Sequence, residues 1–141
     1  MKTTNIISQI SAIKHSANAF IMAELAAHNV YGLVPSHGDI LMVLFYHQDV
    51  TMNKLAEAVH RSKPTVTVLV RKLEELELVY RERSSEDGRS MKVALTAHGK
   101  SFKKIFDHVS VRVNEQLLQG LSDEDITQLE ALLSRVRTNM C

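Results

Sequence analysis

Residues 51–99 read TMNKLAEAVHRSKPTVTVLVRKLEELELVYRERSSEDGRSMKVALTAHG, and this stretch decides the fold. Thr51 can accept a hydrogen bond as a helix N-cap, and the residues after it give a short helix with one apolar face. After a two-residue turn, Ser62 can cap a longer helix that tolerates Pro64 in its first turn. The pattern therefore predicts a helix-turn-helix, and we call its second helix the recognition helix.

Two short segments, residues 78–83 and 89–95, follow the recognition helix. Apolar and polar residues alternate in both, which is typical of half-buried strands. The segment between them, residues 84–88, is polar and contains a glycine, as hairpin turns do. We therefore predict a two-stranded hairpin with a basic tip, which we call the wing.

Working outward towards the N-terminus, apolar residues recur at helical spacing over residues 5–28 and predict a long amphipathic helix. We expect Gly32 to take the left-handed conformation that closes this helix, and Pro35 to stop its continuation. Ser36 is the predicted cap of the next helix. The nearly unbroken apolar run over residues 40–46 predicts that this helix is central and buried.

Towards the C-terminus, Thr96 can cap a helix that keeps its apolar spacing to about residue 119, where Gly120 stops it. Ser122 and Asp125 form a predicted capping box for a last helix that runs to about residue 140. The chain is thus predicted to be mainly α with a small β-hairpin wing. We expect a winged helix-turn-helix with about six helices.

The flanking helices carry more apolar surface than one small winged lobe can cover. We therefore predict one domain over residues 1–141, in which residues 35–98 form the DNA-binding lobe. Residues 5–28 and 100–140 are predicted to form a dimerisation region with a second copy of the chain, which places two recognition helices for a palindromic site. The alternative is a monomer folded back on itself.

Composition excludes several classes of protein. The chain has 141 residues with 45% apolar content, which disfavours disorder, and a formal net charge of only +1. Its one cysteine, Cys141, excludes a disulfide framework and fits a reducing cytosol. The first residues lack the apolar core of a signal peptide, and no apolar run has the ~20 residues of a membrane span. We therefore expect a cytoplasmic protein without membrane contact.

The exposed side of the recognition helix offers the groups that read DNA in the major groove. Arg71 can donate two hydrogen bonds to a guanine edge, and Val68 suits a thymine methyl group. Ser62 and Lys63, at the helix start, suit phosphate oxygens. The predicted DNA-binding residues of this helix are Ser62, Lys63, Pro64, Thr65, Thr67, Val68, Arg71 and Lys72.

The wing is basic and can reach the adjacent minor groove, whose narrow A·T-rich form attracts arginine. Asp87 can orient the guanidinium of Arg89. From Arg61 to Lys92, eight basic and six acidic residues sum to only +2, which predicts moderate, salt-sensitive affinity resting on specific contacts. The predicted wing contacts are Arg81, Arg83, Asp87, Arg89 and Lys92.

These residues also resemble the MarR family of bacterial and archaeal transcription regulators. The family's wing pattern is Asp, any residue, Arg, five residues, Leu-Thr, two residues and Gly. It stands here without gaps as Asp87-Gly-Arg89, Leu95-Thr96 and Gly99. Three departures set this chain apart, because many members carry Gly at Glu77, Arg at Val68 and Asp at Arg71.

The resemblance implies a homodimer that binds pseudo-palindromic operator DNA as a repressor, with Arg89 in the minor groove and Asp87 as its partner. The departure at Glu77 predicts a slightly different end of the recognition helix. The resemblance also implies that a small ligand, often phenolic or otherwise aromatic, relieves repression. The residues proposed to line its pocket are His15, Phe20, His37, Phe45 and Tyr46.

Other classes of function find less support. Glu24 and His28 lie one helical turn apart, and His37 and His108 could approach them in a dimer, but dispersed histidines are usually surface residues. We therefore expect no metal site and no cofactor. No nucleophile elbow, phosphate loop or zinc-protease motif is present, so we expect no enzyme. The remaining alternative is a winged-helix module that binds a protein partner through the same surface.

Overall fold

The computed structural model describes residues 3–84 and 88–141. Within them, the chain forms seven helices and three short strands. The helices are α1 (Ile6–Ala27), α2 (Pro35–Tyr46), α3 (Met52–Val59), α4 (Lys63–Glu75), α5 (Ala97–Ser101), α6 (Lys103–Leu117) and α7 (Asp123–Met140). The strands are β1 (Val50–Thr51), β2 (Val79–Arg83) and β3 (Met91–Leu95).

Four predicted helix caps are confirmed. The side chains of Thr51, Ser62, Thr96 and Ser122 each accept a hydrogen bond from the backbone N–H three residues on. At the last helix, Asp125 returns the bond to the Ser122 N–H at 3.1 Å, which completes the predicted capping box.

Two other predicted boundaries are wrong. The end of α1 is closed by Asn29, which has φ of +60°, and the Val30 N–H donates to the Leu25 carbonyl at 2.9 Å. Gly32 also has positive φ, but it lies beyond this closing bond. Helix α2 begins at Pro35 after Val34, and not after Ser36. The His37 Nδ1 atom accepts the Val34 N–H at 3.0 Å, which is the bond that the third helical residue makes in a capping box.

The predicted helix after Thr96 is divided at Phe102, which separates α5 from α6. The Phe102 N–H donates to the Gly99 carbonyl, three residues back, at 3.1 Å. Such a bond tightens the helix locally, and it separates the short α5 from the long α6. The Phe102 ring lies between His98 and Phe106, at centroid distances of 5.0 and 6.4 Å.

The wing is part of a three-stranded antiparallel sheet with strand order β1-β3-β2. The predicted hairpin forms, and it pairs Val79 with Leu95 and Arg83 with Met91. Strand β1 was not predicted, because two residues are too few to show alternation. It pairs Val50 with Val93 and so joins the wing to the start of α3.

The core lies between α2, α3, α4 and the sheet, and α1 and α6 contribute only their nearest residues. Ile40, Leu41, Leu55 and Leu73 are fully buried there. By contrast, α7 has no buried residue, and α1 has only Leu25. Over residues 3–84 and 88–141, no helix is both long enough and apolar enough to span a membrane.

Candidate nucleic-acid interface

The first turn of α4 is exposed and carries a helix N-terminus. Lys63, Pro64 and Thr65 are all exposed. The Ser62 hydroxyl accepts the Thr65 N–H and donates to the Thr65 hydroxyl at 2.9 Å. The remaining first-turn N–H groups and the positive end of the helix dipole favour an anion such as a phosphate.

The middle of α4 presents one apolar and two cationic side chains about one helical turn apart. Val68 keeps 63% of its surface exposed, and Arg71 and Lys72 are exposed as well. The Thr67 hydroxyl instead donates to the Lys63 carbonyl at 2.9 Å, so its hydrogen is committed within the helix. On this face, Thr65, Arg71 and Lys72 are therefore the side chains that can donate a hydrogen bond to a ligand.

The recognition helix is fixed by its buried inner face and by contacts of the turn that precedes it. Val66, Val70 and Leu73 on its inner face are fully buried. At its start, Arg61 pairs with Asp39 at 3.2 Å and donates to the Ser36 hydroxyl at 3.1 Å. These contacts tie the turn before α4 to α2, and no local sequence pattern predicts them because the partners are more than twenty positions apart.

Two of the predicted wing cations are engaged inside the protein. Arg81 pairs with Glu74 at 2.9 Å, which joins β2 to α4. Lys92 lies 3.0 Å from Asp49 and 3.8 Å from Glu82, which joins β3 to its two neighbouring strands. Both cations therefore lie at the base of the wing and fix its position relative to the recognition helix.

The tip of the wing carries the other two cations, Arg83 and Arg89, which are exposed. Arg83 donates to the Gly88 carbonyl at 3.0 Å, and the Ser84 N–H donates to the Ser90 carbonyl at 2.7 Å. Asp87, the predicted partner of Arg89, lies outside the described residues.

The end of the wing pattern forms a joint between α4 and α5. The Thr96 hydroxyl accepts the Gly99 N–H at 3.0 Å and donates to the Glu77 carbonyl at 2.6 Å. A Cβ atom on Gly99 would lie 2.0 Å from the Leu78 carbonyl oxygen, so only glycine fits. Sequence reasoning treated these residues as a family pattern and missed that they couple the recognition helix to the wing.

Glu77 does not distort the end of α4, contrary to expectation. It adopts φ of +59°, the left-handed conformation that glycine favours, and the Leu78 N–H donates to the Leu73 carbonyl at 3.0 Å. The helix therefore ends as it would with glycine. The cost is the strain of a side chain in this conformation, about 1–2 kcal/mol.

The five predicted pocket residues remain a prediction: Phe45 and Tyr46 line one cleft, and His15 lines another. His37 is buried, and burial followed by the nearby Lys72 charge lowers the pKa of its imidazole. The Phe45 ring packs on Phe106 at 5.6 Å. Tyr46 is exposed and donates to Asp107, with the Lys103 ammonium 4.5 Å from its ring centre. His15 is exposed on α1, and Phe20 is half-buried there.

A different cleft lies where α1, α2 and α6 meet. It has a volume of about 180 Å³ and a mostly apolar lining. The apolar residues that line it include Ile21, Leu25, Met42, Phe106, Val109 and Val113. Sequence periodicity marked these residues as core, and nothing local distinguishes a residue that lines a cleft from one that fills the core.

Three metal-binding side chains also meet at the α1–α6 contact. One ligand atom each from Glu24, His28 and His108 lies within 4.8 Å of the other two. His37 is not among them. The sequence suggests such an approach only in a dimer, whereas the fold brings the three side chains together within one chain.

A sequence model of the MarR family matches residues 33–91, which cover the helix-turn-helix and most of the wing. The organic hydroperoxide resistance transcriptional regulator of Bacillus subtilis is 31% identical over 93 residues. That alignment covers 66% of this chain and 62% of the relative. The regulator SarZ of Staphylococcus aureus is 34% identical over 74 residues, 52% of this chain and 50% of SarZ. The chain thus spans half to under two thirds of these relatives.

Solved structures match over nearly the whole chain. MepR of S. aureus in its DNA-binding conformation superposes with a TM-score of 0.85 at 26% identity, covering 98% of this chain and 100% of MepR. MepR in complex with DNA gives a TM-score of 0.84 at 26% identity, covering 99% of each chain. The backbone described above is therefore similar to one that, in MepR, is seen bound to DNA.

Proposed function

The chain belongs to the MarR family, and on this premise we propose that it is a transcription regulator that binds double-stranded DNA, with α4 in the major groove and the wing beside it. One observation carries the proposal: the exposed first two turns of α4, with a capped N-terminus, Val68 and Arg71 on a rigid support. The likeness to MepR bound to DNA supports it. The family's members are regulators rather than enzymes.

In this arrangement, the groups at the start of α4 contact phosphates and position the helix. Arg71 and Val68 contact base edges, and base contacts rather than phosphate contacts carry the sequence information. At the tip of the wing, Arg83 and Arg89 contact the neighbouring minor groove or its phosphates. Arg81 and Lys92 hold the wing at the angle that this requires.

The acting species is a homodimer that binds a pseudo-palindromic operator. Both ends of the chain leave apolar side chains uncovered, among them Ile6, Ile7 and Ile10 on α1 and Leu132 and Leu133 on α7. Monomeric proteins seldom expose a continuous apolar surface of this kind. A second copy covers it and sets two recognition helices about one helical turn of DNA apart.

A small apolar or aromatic ligand relieves DNA binding from the cleft between α1, α2 and α6. Its walls join two helices of the proposed dimerisation region to α2, which packs on the recognition helix. A ligand that widens the cleft changes the spacing of the two recognition helices. Linkage then requires that DNA weaken ligand binding by the same factor.

Fluorescence anisotropy with DNA from upstream of the chain's own gene tests the proposal. We expect binding that weakens steeply between 50 and 200 mM salt, because phosphate contacts release counterions, and that a scrambled duplex competes poorly. Binding that is absent at low salt, or equal for both duplexes, would instead favour the module that binds a protein partner.

Arg89→Ala tests the wing in the same assay. We expect weaker operator binding with an unchanged circular dichroism spectrum, since Arg89 is exposed. Lys104→Ala, which removes an equally exposed positive charge from α6, is the matched control. If the two variants bind the operator equally well, Arg89 does not contact DNA.

A further inference from the structure

Glu24, His28 and His108 form a compact set of three metal-binding side chains. Glu24 and His28 lie one turn apart on α1, and His108 faces them from α6. Their ligand atoms all lie within 4.8 Å of one another. The His28 and His108 rings meet edge to face, with centroids 5.3 Å apart.

The backbone under this cluster is fixed, while its side chains are open to ions. Leu25 and Val109, each next in sequence to a cluster residue, are buried in the core at 2% and 3% exposure. Glu24 itself is half-buried, and both histidines are exposed. The cluster thus sits at the rim of the α1–α6 contact, where an ion can enter without any rearrangement of the helices.

We propose that Glu24, His28 and His108 bind a divalent transition metal of the Zn²⁺ type. Two imidazole nitrogens and one carboxylate oxygen suit Zn²⁺, Cu²⁺ or Ni²⁺, whereas Mg²⁺ and Ca²⁺ prefer all-oxygen sites. In tetrahedral Zn²⁺ sites, bonds of about 2.0–2.1 Å place neighbouring ligand atoms about 3.4 Å apart. The observed separations, all within 4.8 Å, reach this value by rotation of the three side chains. A fourth position remains for water or another ligand.

Arg112 competes with the metal for Glu24. Its Nε atom lies 2.9 Å from the Glu24 Oε2 atom, and it stands one helical turn after His108 on α6. The guanidinium therefore neutralises the carboxylate in the metal-free protein. A bound ion takes over that role, and in doing so replaces one link between α1 and α6 with a stronger one.

Without a metal, the same arrangement is an ion pair beside an edge-to-face ring contact, so binding must be measured directly. The experiment uses untagged protein in a Cys141→Ser background, because the exposed thiol of Cys141 is itself a zinc ligand. Zn²⁺ affinity is determined by competition with a chromophoric chelator. The variants are Glu24→Gln, His28→Ala and His108→Ala, and the matched controls are His47→Ala and His98→Ala.

Loss of a partner that only orients a ligand costs about 10–100-fold in metal affinity. We therefore expect each cluster variant to bind Zn²⁺ at least tenfold more weakly than the background protein, and the two control variants to bind it equally well. We also expect saturating Zn²⁺ to raise the melting temperature of the background protein but not of His108→Ala. Equal affinity in the His108→Ala and His47→Ala variants would overturn the proposal.

Arg112→Gln supplies a change in the opposite direction. Removing the competing guanidinium should tighten Zn²⁺ binding several-fold, whereas a role for Arg112 in supporting the site would weaken it and contradict the competition. These measurements contain no DNA. Failure of the metal site therefore leaves the proposed DNA binding untouched, and failure to bind DNA leaves the metal site untouched.

Discussion

At the scale of single residues, the cations of the helix-turn-helix and wing divide into two groups. Arg61, Arg81 and Lys92 form ion pairs with carboxylates elsewhere in the fold. These pairs fix the positions of the recognition helix and the wing. Lys63 and Arg71 lie on the exposed side of α4, where a DNA duplex can reach them. The small charge sum of this region therefore includes three cations that are paired within the protein, and positive charge towards a ligand rests on the other five basic residues.

This division predicts different effects for two cations of α4. Arg71→Ala should cost about 1–3 kcal/mol of operator binding and relax the preference at one base pair. Lys63→Ala should weaken binding to all sequences alike and reduce the salt dependence by about one ion. Anisotropy titrations against operators that differ at single base pairs, at several salt concentrations, measure both. Equal losses across all sequences for Arg71→Ala would show that it contacts only phosphate.

At the scale of elements, the joint of Thr96 and Gly99 decides how the wing sits on α4. Gly99→Ala places a Cβ atom 2.0 Å from the Leu78 carbonyl oxygen, and the backbone must shift. We expect a loss of about 3 kcal/mol in the free energy of unfolding, measured with urea. Gly38→Ala is the control, because its Cβ lies 3.4 Å from Phe106. A helical alanine there should be neutral or stabilise by up to about 1 kcal/mol.

The start of α2 predicts a pH dependence. His37 is buried, accepts the Val34 N–H and has a lowered imidazole pKa, because of burial and then Lys72. The unfolded chain therefore binds the proton more readily than the folded one. Stability should fall as the pH drops below about 6.5, the ordinary histidine pKa.

Urea unfolding at pH 7.5 and pH 5.5 measures this effect of His37. His37→Asn keeps an acceptor for the Val34 N–H but does not titrate, so it should lose less stability than the natural chain over this range. The same loss in both proteins would assign the pH dependence to other groups.

At the scale of the whole molecule, most apolar residues of α7 after its first turn are exposed within the described part of the chain. Leu133→Glu puts a charge on this face, and burying it in a dimer costs several kcal/mol. We expect sedimentation to show a monomer at micromolar concentration, with operator binding reduced accordingly. Ala131→Glu adds the same charge about 160° round the helix from Leu133 and should remain a dimer. A natural chain that sediments as a monomer would contradict the dimer outright.

Four helix caps, the hairpin and the resemblance to the MarR family could all be predicted from the order of residues alone. Thr51, Ser62, Thr96 and Ser122 each bond to a backbone N–H three residues away, so the pattern that encodes the bond lies within one turn of helix. The periods of apolar residues likewise identified the inner face of α4 and the alternation of the wing. These features are local, and local hydrogen bonds and periodicity can be read from the order of residues.

Contacts between residues that are distant in sequence could not be predicted from local patterns. Asn29 rather than Gly32 closes α1, because the helix ends where Leu25 enters the core. Arg81 and Lys92 pair with carboxylates that are distant in sequence, and a cleft forms where α1, α2 and α6 meet. His108 reaches Glu24 from more than eighty positions away. Such contacts depend on how helices pack against each other, and packing is a property of the assembled core rather than of any one segment.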